Sequence, residues 1–595
     1  MSTKPESTRN MQRLTVPAGV MAATLVAILI PVIVPNGYWT HVATLAAIYW
    51  ILISGLNLVV GYGGQLSVGH VGLLAVGSYT ACALYSTLGW NPYVSLVAAA
   101  VVGMVAGLLI GLPSLRLRRF YFAMATIAFA TAVSRLAVVW KSVTGGGLGI
   151  AAPTFGGVLS GRNGFYWFVL AIAGVATYLT WRIATSNSGR GLIAIRDAEV
   201  AAESIGVPVF RLKLFVFTIS GALAGISGAL YASLQTYVTP EAFSFDLSML
   251  FFVAVLLGGA GRIAAPIVAT IVLVLLPELA APLAQWSAFM YAVLLLLVVL
   301  ILPKGVGGLL TAVNDRIHHR SVPARRVGKL DETKTVCGFI SASTERPLVV
   351  TGAQKSFGGV KALDGIDLDV SAGQIVGLIG PNGSGKTTVL NIISGFYAID
   401  AGSVTLAGQD VSGMNVQKRA PHGIARCFQT PRTAGDLSAL ENVMLGGYLD
   451  ARTSSAEALT GLGRLVRRED ALRRRAMASL RVVGLEKAAG FRAELLPHSQ
   501  LRFLEIARAL VSRPRLLLLD EPASGLSSQE IESLGELIRA IASAGVGVLL
   551  VEHHADLVFD VCDAVTVLNF GRVLAAGSPE DVRKNDEVIH AYLGS

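Results

Sequence analysis

Long apolar runs fill the first half of this sequence and limit its fold more strongly than any other feature. A helix of about 20 apolar residues is long enough to cross the hydrocarbon core of a bilayer. Within the first 303 residues, only 15 Lys or Arg and 7 Asp or Glu interrupt the ten runs of this kind. The runs lie near 16–35, 41–60, 66–88, 93–113, 120–140, 164–183, 212–235, 248–261, 263–280 and 286–303. They predict a polytopic α-helical membrane domain over residues 16–303.

In this half of the sequence, the Lys and Arg residues of the loops are concentrated on one side of the predicted membrane. With the N-terminal tail, residues 1–15, in the cytoplasm, the basic connections at 113–119 and 182–213 fall on the same side. The outer loops then carry only Lys141 and Arg162. Since Lys and Arg accumulate on the cytoplasmic side of membrane proteins, the chain is expected to return to the cytoplasm after its last span.

The net charge of +10 does not indicate a nucleic-acid partner. Residues 348–595 hold 25 Lys or Arg against 27 Asp or Glu, so the excess belongs to the membrane half and to residues 304–347. Basic residues beside a span face anionic lipid headgroups. We therefore expect residues 304–347 to form a basic linker, the lipid bilayer to be a partner, and no nucleic acid to bind.

Polar side chains lie among the apolar runs at two places. A glycine-rich segment carries Gln65, Ser67 and His70. Irregular backbone at membrane depth is tolerated only where it is buried in protein or lines a cavity. These three side chains therefore either line a substrate pathway or pack helices against each other. Arg135 lies inside a span but close to Lys141, and its side chain is expected to extend to the outer interface.

The long cytoplasmic loop after the sixth run carries the pattern of a short amphipathic helix over 190–206. Its apolar residues recur at helical spacing and are Leu192, Ile195, Ala198, Ala202 and Ile205. Its charged residues include Arg190, Arg196, Asp197 and Glu203. A helix that lies on a lipid surface is rich in Lys and Arg, whereas this one mixes both signs. We therefore expect it to dock on a soluble domain.

From residue 348 the sequence alternates strands and helices, as α/β domains do. An apolar strand over 374–379 leads into the segment Gly380-Pro381-Asn382-Gly383-Ser384-Gly385-Lys386-Thr387-Thr388, and a helix follows. This segment has the GxxxxGK[ST] spacing of a phosphate-binding loop in the required strand–loop–helix context. In such a loop, backbone N–H groups point at phosphate oxygens, Lys386 neutralises the β and γ phosphates, and Thr387 ligates Mg²⁺. Residues 348–595 are thus predicted to form a P-loop domain that binds ATP and Mg²⁺.

Two further strands of this half end in polar side chains suited to phosphate chemistry. The four-leucine strand from 516 ends in Asp520 and Glu521, and the strand from 546 ends just before His553. Asp520 suits Mg²⁺, held directly or through water. Glu521 suits the role of a general base or of a group that positions water at the γ-phosphate. His553 is expected to reach the γ-phosphate as well.

The order of these motifs resembles that of ABC transporter ATPases over essentially all of 348–595. The resemblance implies that Phe357 stacks on adenine and that Gln429 links Mg²⁺ and the attacking water to the membrane domain. It also implies that Leu496-Pro497-His498-Ser499-Gln500 is the signature segment, in which Ser499 and Gln500 contact nucleotide.

The signature segment departs from the family pattern, which is usually LSGGQ or LSYGQ. Pro497 stands in place of the serine and Ser499 in place of the second glycine. Pro is tolerated in the first turn of a helix, so the fold is expected to form. The hydroxyl that normally contacts a γ-phosphate is lost from its position. In this family each site combines one subunit's phosphate loop with the other subunit's signature, so the departure is expected to weaken the site built on the partner's nucleotide, or both sites in a homodimer.

The membrane half resembles the permease of branched-chain amino acid ABC importers over roughly 16–312. The motifs that carry this resemblance are Gly63-Gly-Gln-Leu-Ser-Val-Gly-His70, Leu115-Arg-Leu-Arg118, Tyr121-Phe-Ala123, Thr144-Gly-Gly-Gly147, Ser188-Gly-Arg190, Ala194-Ile-Arg196 and Leu302-Pro-Lys-Gly305. The chain is therefore similar to a permease fused to the ATPase of the same kind of importer. The resemblance implies a multi-pass protein of the bacterial inner membrane, with its N-terminus and ATPase domain cytoplasmic. It also implies alternating access driven by ATP, with the loop helix coupling the ATPase to the spans.

The same resemblance implies partners and leaves the substrate open. A second permease and ATPase, separate or also fused, or a second copy of this chain would complete the transporter, and an extracytoplasmic binding protein would deliver substrate. Importers of urea or amides share these motifs. An ABC exporter half and a non-transporting complex are two further alternatives. The exporter would lack the short loop helix, and a mere anchor would need far fewer than ten spans.

Overall fold

The computed structural model describes residues 36–113, 119–280, 346–451 and 463–593, with a few single positions and short stretches between them. The chain divides into two compact units. The first holds the chain up to Leu192 and again from Phe210. The second holds Ile193–Val209 and the described residues from 346 onward. Part of the loop between two membrane helices therefore belongs to the second unit.

Apolar helices build the first unit. In chain order the helices of this half are α1 (Gly37–Asn57), α2 (His70–Leu88), α3 (Pro92–Gly111), α4 (Arg119–Val139), α5 (Arg162–Thr185), α6 (Asn187–Ser204), α7 (Val209–Gln235), α8 (Phe245–Gly258) and α9 (Ala265–Ala280). A π-helical turn, Leu58–Tyr62, extends α1, and two short antiparallel strands, β1 (Ile150–Ala151) and β2 (Tyr237–Val238), pair with each other. Within the described residues, seven helices are long and apolar enough to cross a membrane, namely α1–α5, α7 and α8.

Seven of the ten predicted spans thus coincide with helices of spanning length. The spanning segment of α8 is counted from the preceding turn, Pro240–Gly258. The predicted span 263–280 overlaps α9, whose apolar part, Ala265–Leu275, is shorter than a span. The predicted spans 16–35 and 286–303 lie largely outside the described residues, as does the linker 304–347, so the count of ten stays a prediction.

Glycines let α3 and α7 approach each other at backbone distance. A Cβ atom added at Gly103 would lie 2.4 Å from the carbonyl oxygen of Gly221, and one added at Gly107 would lie 2.3 Å from that of Phe217. Only residues without a side chain allow this approach, which is how small residues commonly hold membrane helices together.

Two sheets build the second unit. The strands are β3 (Leu348–Phe357), β4 (Val360–Val370), β5 (Ile375–Ile379), β6 (Ala401–Leu406), β7 (Gln409–Asp410), β8 (Ile424–Cys427), β9 (Leu516–Asp520), β10 (Gly547–Val551), β11 (Ala564–Asn569) and β12 (Arg572–Gly577). One sheet has the order β12-β11-β5-β10-β9-β8 and is parallel except for β12; the other is antiparallel, with the order β4-β3-β6-β7. Strands β5, β9 and β10 are buried throughout, as strands of a sheet covered on both faces are.

Helices cover the parallel sheet. They are α10 (Lys386–Ser394), α11 (Ala439–Leu445), α12 (Gly463–Val482), α13 (His498–Val511), α14 (Ser528–Ser543), α15 (Ala555–Val561), α16 (Pro579–Arg583) and α17 (Asp586–Leu593). A large apolar cluster joins α13 and α14 to the strands, from Phe503 and Leu504 to Leu517, Leu519 and Leu550. The predicted fold class, a helical membrane domain followed by an α/β P-loop domain, is confirmed.

Candidate active site

The strand order brings the polar motifs of the second unit to one edge of its parallel sheet. Strands β5, β10, β9 and β8 are consecutive neighbours. Leu378 pairs with Val551, and Val551 pairs with Asp520, so the chain leaves these strands at a common level. Ligand sites of open α/β sheets lie at the carboxyl ends of their parallel strands. This edge is therefore the candidate site.

The phosphate-binding loop connects β5 to α10. Gly380 has φ of +152° and Gly385, the N-cap of α10, has φ of +107°. A Cβ atom at Gly380 would lie 2.2 Å from the carbonyl oxygen of Leu568, so this position requires glycine. Asn382 and Gly383 are exposed, whereas the Ser384 side chain is buried. The N-terminus of α10, with its free N–H groups, favours an anion at this loop.

Lys386 begins α10 and its ammonium group lies inside the loop. Its Nζ donates hydrogen bonds to the carbonyl oxygens of Gly380 at 2.6 Å and Pro381 at 2.9 Å. Burial lowers the pKa of Lys386, while the nearby carboxylates of Glu521 and Asp520 act in the opposite direction. The ammonium group is thus held at the loop, and its predicted contact with phosphate stays a prediction. Thr387 is exposed and Thr388 half-buried on the same first turn.

Glu521 gathers the two other predicted catalytic side chains around its carboxylate. Gln429 Nε2 donates to Glu521 Oε2 at 2.7 Å, and His553 Nε2 lies 2.9 Å from Glu521 Oε1. The Glu521 backbone has φ of +47°, a conformation that non-glycine residues adopt at a cost and that clusters at functional sites. The Glu521 N–H donates to the Val551 carbonyl at 2.8 Å and fixes this turn. The arrangement suits a base that orients water and passes on its proton.

Asp520 is buried at the end of β9 and is held by a cation that the sequence did not reveal. Arg426 Nη2 lies 2.9 Å from Asp520 Oδ2, and Arg426 Nη1 donates to Asn391 Oδ1 at 2.7 Å. Within the described residues, no group of three or more His, Cys, Asp or Glu could by itself hold a metal ion. Oxygen donors from Thr387, Asp520 and Gln429 fit Mg²⁺, which usually completes its ligands with water and nucleotide phosphates.

The aromatic residue predicted to stack on adenine ends β3. Phe357 is 43% exposed, which leaves ring surface available for a base. Its ring contacts Tyr397 edge-to-face at 5.1 Å between centroids, and the Lys355 ammonium lies 5.5 Å from its centroid.

The signature segment begins α13. Pro497 is the N-cap residue and lies just before the first turn rather than within it, and no side-chain cap hydrogen bond is made. Ser499 is half-buried, and Gln500 is buried and donates from Nε2 to the Pro323 carbonyl at 3.1 Å. The His498 ring lies beside Gly525, from which an added Cβ would be 3.5 Å from its Nδ1. Within the described residues, neither Ser499 nor Gln500 forms a hydrogen bond with the phosphate loop.

The body of α13 holds in place the segment that carries Gln429. The sequence did not reveal this support. Glu505 accepts hydrogen bonds from the Phe428 and Arg432 backbone N–H groups, at 3.3 and 3.4 Å. Arg502 Nη1 donates to the Phe428 carbonyl at 2.7 Å, and Arg508 Nη1 donates to the Arg432 carbonyl at 2.6 Å. Arg508 also pairs with Glu505 at 2.8 Å. The charged residues of the run Leu504–Leu510 were a signal, because buried charges require partners.

Burial also moves the protonation of these groups. It raises the pKa of Glu505 and lowers the pKa of Arg502, and in both cases the neighbouring opposite charges act in the other direction. Burial likewise raises the pKa of Glu552, which accepts from the Ala523 N–H at 2.6 Å. Glu552 also accepts a hydrogen bond from the His553 N–H at 3.1 Å. This bond fixes the backbone of His553, whose ring contacts Glu521.

The loop helix α6 bends at Ala198, whose φ of −149° and ψ of 68° are not helical. The continuous helix predicted over 190–206 is thus two shorter ones. Around the bend, Arg196 forms an ion pair with Asp436 and donates to Asp197 at 2.7 Å. Ala198 and Ala201 pack with Phe428, the residue before Gln429.

Two of the four predicted coupling residues therefore contact the ATPase half within the second unit. They are Arg196, and Glu203, whose Oε1 accepts from Gln417 Nε2 at 3.5 Å. Asp197 forms an ion pair with Arg196 at 2.7 Å. Arg190 is buried in the first unit, where it donates to Asn187 Oδ1 at 3.4 Å.

The three predicted pathway residues are all buried in the first unit. Ser67 Oγ lies 2.9 Å from His70 Nδ1, and His70 Nε2 lies 2.8 Å from the hydroxyl of Ser220 on α7. Gln65 Nε2 donates weakly to the Gly63 carbonyl at 3.4 Å. These contacts join the irregular segment before α2 to α7, which is the packing role that the sequence left open.

Comparison with protein families gives three matches. Residues 38–302 match the family described as branched-chain amino acid transport system / permease component. Residues 363–524 match the ABC transporter family, and residues 572–595 match the family of branched-chain amino acid ATP-binding cassette transporters.

Among curated proteins the similarity lies in the C-terminal half. The high-affinity branched-chain amino acid transport ATP-binding protein BraF of Pseudomonas aeruginosa is 40% identical over 251 residues, which are 42% of this chain and 98% of BraF. The corresponding protein LivG of Escherichia coli is 38% identical over 248 residues, 42% of this chain and 97% of LivG. A probable LivG of Archaeoglobus fulgidus is 35% identical over 243 residues, 40% of this chain and 93% of that protein.

Solved structures of ATP-binding cassettes are also similar to this chain. MJ1267, an ATP-binding cassette of an ABC transporter in its ADP conformation, shares 29% identity at a TM-score of 0.38, over 42% of this chain and all of that one. A nucleotide-free ATP-binding cassette from an ABC transporter shares 28% identity at a TM-score of 0.37, with the same coverage.

Proposed function

Because this chain belongs to the branched-chain amino acid ABC transporters and joins permease and ATPase in one polypeptide, we propose that it imports branched-chain or other hydrophobic amino acids, driven by ATP hydrolysis. The curated relatives of its ATPase half are branched-chain amino acid transport proteins, which supports this substrate class. The observation that carries the proposal is the carboxylate of Glu521, which lies between Gln429 and His553 at the end of β9.

Each group at this edge of the sheet has a role in hydrolysis under the proposal. Glu521 accepts the proton of the attacking water as general base. His553, 2.9 Å from the Glu521 carboxylate, contacts the γ-phosphate. Gln429 positions the water. Lys386 and the phosphate-loop N–H groups stabilise the charge that develops on the phosphate oxygens. Phe357 stacks on the adenine.

Mg²⁺ is the proposed metal of this site. Thr387, Asp520 and Gln429 offer a hydroxyl, a carboxylate and an amide oxygen, the hard ligands this ion prefers. Bound there with ATP, the ion would neutralise charge on the β and γ phosphates. Arg426 holds Asp520 through one carboxylate oxygen, Oδ2, and so orients the carboxylate.

Loop helix α6 is the proposed link between hydrolysis and transport. The helix forms an ion pair with Asp436 and packs on Phe428. Phe428 is the residue directly before Gln429. A shift of Gln429 that follows loss of the γ-phosphate would move Phe428 and so change its packing against Ala198 and Ala201. The contact that supports this link is the packing of Phe428, the neighbour of Gln429, against the loop.

The complete transporter requires other subunits. A second permease and a second ATPase are proposed to complete it, with Ser499 and Gln500 of this chain facing the nucleotide of the second ATPase. An extracytoplasmic binding protein is proposed to deliver substrate. The apolar helices make the chain a membrane protein, and the charge of its loops supports a bacterial inner-membrane location with N-terminus and ATPase in the cytoplasm.

Uptake into proteoliposomes tests the proposal. The purified complex, with its binding protein on the substrate side and ATP on the ATPase side, is offered labelled leucine, isoleucine, valine, urea and an aliphatic amide. We expect saturable, ATP-dependent uptake of the branched-chain amino acids that urea does not compete with. Uptake of urea or amide in preference to amino acids would contradict the substrate class. Efflux of an amphipathic dye without binding protein would contradict import.

A further inference from the structure

A groove of about 480 Å³ lies on the first unit between α4 and the turn that precedes α8. Its volume falls within the range of about 300–1,000 Å³ that small-molecule sites occupy. Val68, which follows the predicted pathway residue Ser67, forms part of its wall. The remaining wall comes from α4 and from Pro240–Ser248, including Glu241 and Phe245.

The face of α4 that lines the groove is unsuited to lipid. It presents Ile127, Thr131, Ser134, Arg135 and Val138, which recur at helical spacing along one side. Of the seven helices of spanning length within the described residues, α4 is the least buried in the chain. Charged side chains within spans face the interior of the helix bundle or a water-filled cavity rather than hydrocarbon.

The groove is lined by two opposite charges, Arg135 on α4 and Glu241 on the turn before α8. Ser134 Oγ donates to the Phe243 carbonyl at 3.1 Å and ties the turn before α8 to α4. Arg135 is the next residue on α4, and Glu241 lies two residues before Phe243. Both side chains are exposed. Within the described residues neither forms an ion pair or a hydrogen bond, so both are available to a ligand.

We propose that this groove is a binding site for a zwitterionic α-amino acid on its way through the permease, with Arg135 holding the carboxylate and Glu241 the ammonium group. The proposal rests on the import of hydrophobic amino acids proposed above and assigns the residues that recognise them. The guanidinium group can hold a carboxylate through two parallel hydrogen bonds. Glu241 supplies the opposite charge, and Val68, Ile127 and Phe245 supply an apolar wall for the side chain.

This recognition excludes the other solutes that related importers carry. Urea and simple amides lack both charges, so they leave Arg135 and Glu241 unsatisfied. Such ligands forgo both charge-assisted contacts and are expected to bind more weakly than a zwitterion. The site is also distinct from Gln65, Ser67 and His70, whose polar atoms form hydrogen bonds within their own segment and, for His70, with Ser220 of α7.

Substitution of each charge tests the assignment in the complete transporter with its binding protein. Arg135→Gln and Glu241→Gln should each lower leucine uptake by about tenfold, with basal ATP hydrolysis unchanged. Arg135→Lys keeps the charge and should retain more uptake than Arg135→Gln. The matched controls are Lys141→Gln and Asp246→Asn, exposed charges near the same helix ends that do not line the groove. They should leave uptake within about twofold of the wild type.

Ligand competition gives a second readout. Leucinamide, which lacks the carboxylate, should compete poorly with leucine in the wild type, and Arg135→Gln should narrow this difference. 4-Methylpentanoate, which lacks the ammonium group, should also compete poorly with leucine in the wild type, and Glu241→Gln should narrow this difference.

Three outcomes would overturn the assignment. Wild-type uptake of leucine together with unchanged uptake in both variants would refute the site and leave the proposed function standing. Loss of co-purifying subunits in the variants would make the groove a subunit contact instead. A wild-type complex that takes up urea but no amino acid would remove both the proposed function and the site.

Discussion

The catalytic edge and the signature segment of the ATPase half differ sharply in how many of the polar groups expected for nucleotide contact they contain. At the catalytic edge, Gln429 and His553 lie 2.7 and 2.9 Å from the two carboxylate oxygens of Glu521, beside an intact phosphate loop. At the signature segment, Pro497 replaces a serine and offers neither a hydroxyl nor an N–H group. Under the proposed function, one chain carries a complete set of groups for its own nucleotide and an incomplete set for that of its partner.

The difference is confined to one turn of chain. Helix α13 begins just after Pro497, yet its body fixes the Gln429 segment through Arg502, Glu505 and Arg508. Substitutions that remove nucleotide contacts at the start of the helix leave its structural contacts in place. The comparison thus separates the observed role of α13, support of the chain's own site, from its proposed role, contact with a partner's nucleotide.

The largest expected effect is at the catalytic edge. Glu521→Gln should lower ATP hydrolysis by about a thousandfold, since a positioned general base contributes roughly 10² to 10⁴ in rate. ATP binding should persist, because Lys386 and the phosphate loop are untouched. Hydrolysis by the complex and binding of a fluorescent ATP analogue measure the two quantities. The exposed Glu532→Gln on α14 serves as control. Full turnover in Glu521→Gln would remove this residue from the mechanism.

A second test targets the support that α13 gives to the catalytic edge. Glu505→Leu leaves the Arg508 cation and two backbone N–H groups without their buried partner, which costs about 3–5 kcal/mol. The apparent melting temperature of the full chain should fall by roughly 6–12 °C. Glu505→Gln keeps an acceptor and should lose about half as much. A melting temperature unchanged in Glu505→Leu would show that the contacts seen here do not support the fold.

How much of this the sequence revealed depends on how local each feature is. The phosphate loop, Asp520, Glu521 and His553 follow buried strands directly, so their convergence at one sheet edge could be predicted from spacing alone. Arg426 with Asp520, Glu505 with Phe428, and Arg196 with Asp436 join residues far apart in the chain. A single sequence gives no such pairing.

A local pattern misled in one place and left alternatives open in another. The apolar period over 190–206 is continuous, but the backbone bends at Ala198, where the loop contacts Phe428. Tertiary packing prevails over helical propensity there. Polar residues in the segment before α2 left a substrate pathway and helix packing as alternatives, and the ring of His70 is seen to bridge Ser67 and Ser220. Periodicity reports which residues share a face, not what that face contacts.

A third test asks whether the catalytic edge drives transport through α6. Arg196→Asp puts another carboxylate beside Asp197 and Asp436, so uptake per ATP hydrolysed should fall by about tenfold while basal hydrolysis persists. Asp436→Arg, combined with it, restores a pair of opposite charges and should recover at least half of the uptake. Parallel measurement of leucine uptake and phosphate release gives the ratio. A double variant no better than either single variant would argue against this pair as the link.

The smallest expected effect is at the signature. Pro497→Ser combined with Ser499→Gly restores a hydroxyl and a glycine, and should raise hydrolysis by the whole complex about threefold, close to 0.7 kcal/mol. Ser512→Gly, at the far end of the same helix, is the control for changes in α13 itself. Hydrolysis that falls in the repaired variant would mean that the native residues already suit the partner's nucleotide.

The contrast between the two regions can be measured directly by asking which chain traps nucleotide. The complex with its second ATPase is trapped with vanadate and a radiolabelled, photoreactive ATP, and the label on each ATPase is counted. We predict at least about fivefold more label on this chain, whose complete site lies opposite the partner's signature, than on the partner, whose nucleotide faces Pro497 and Ser499. Equal label on both would contradict the account.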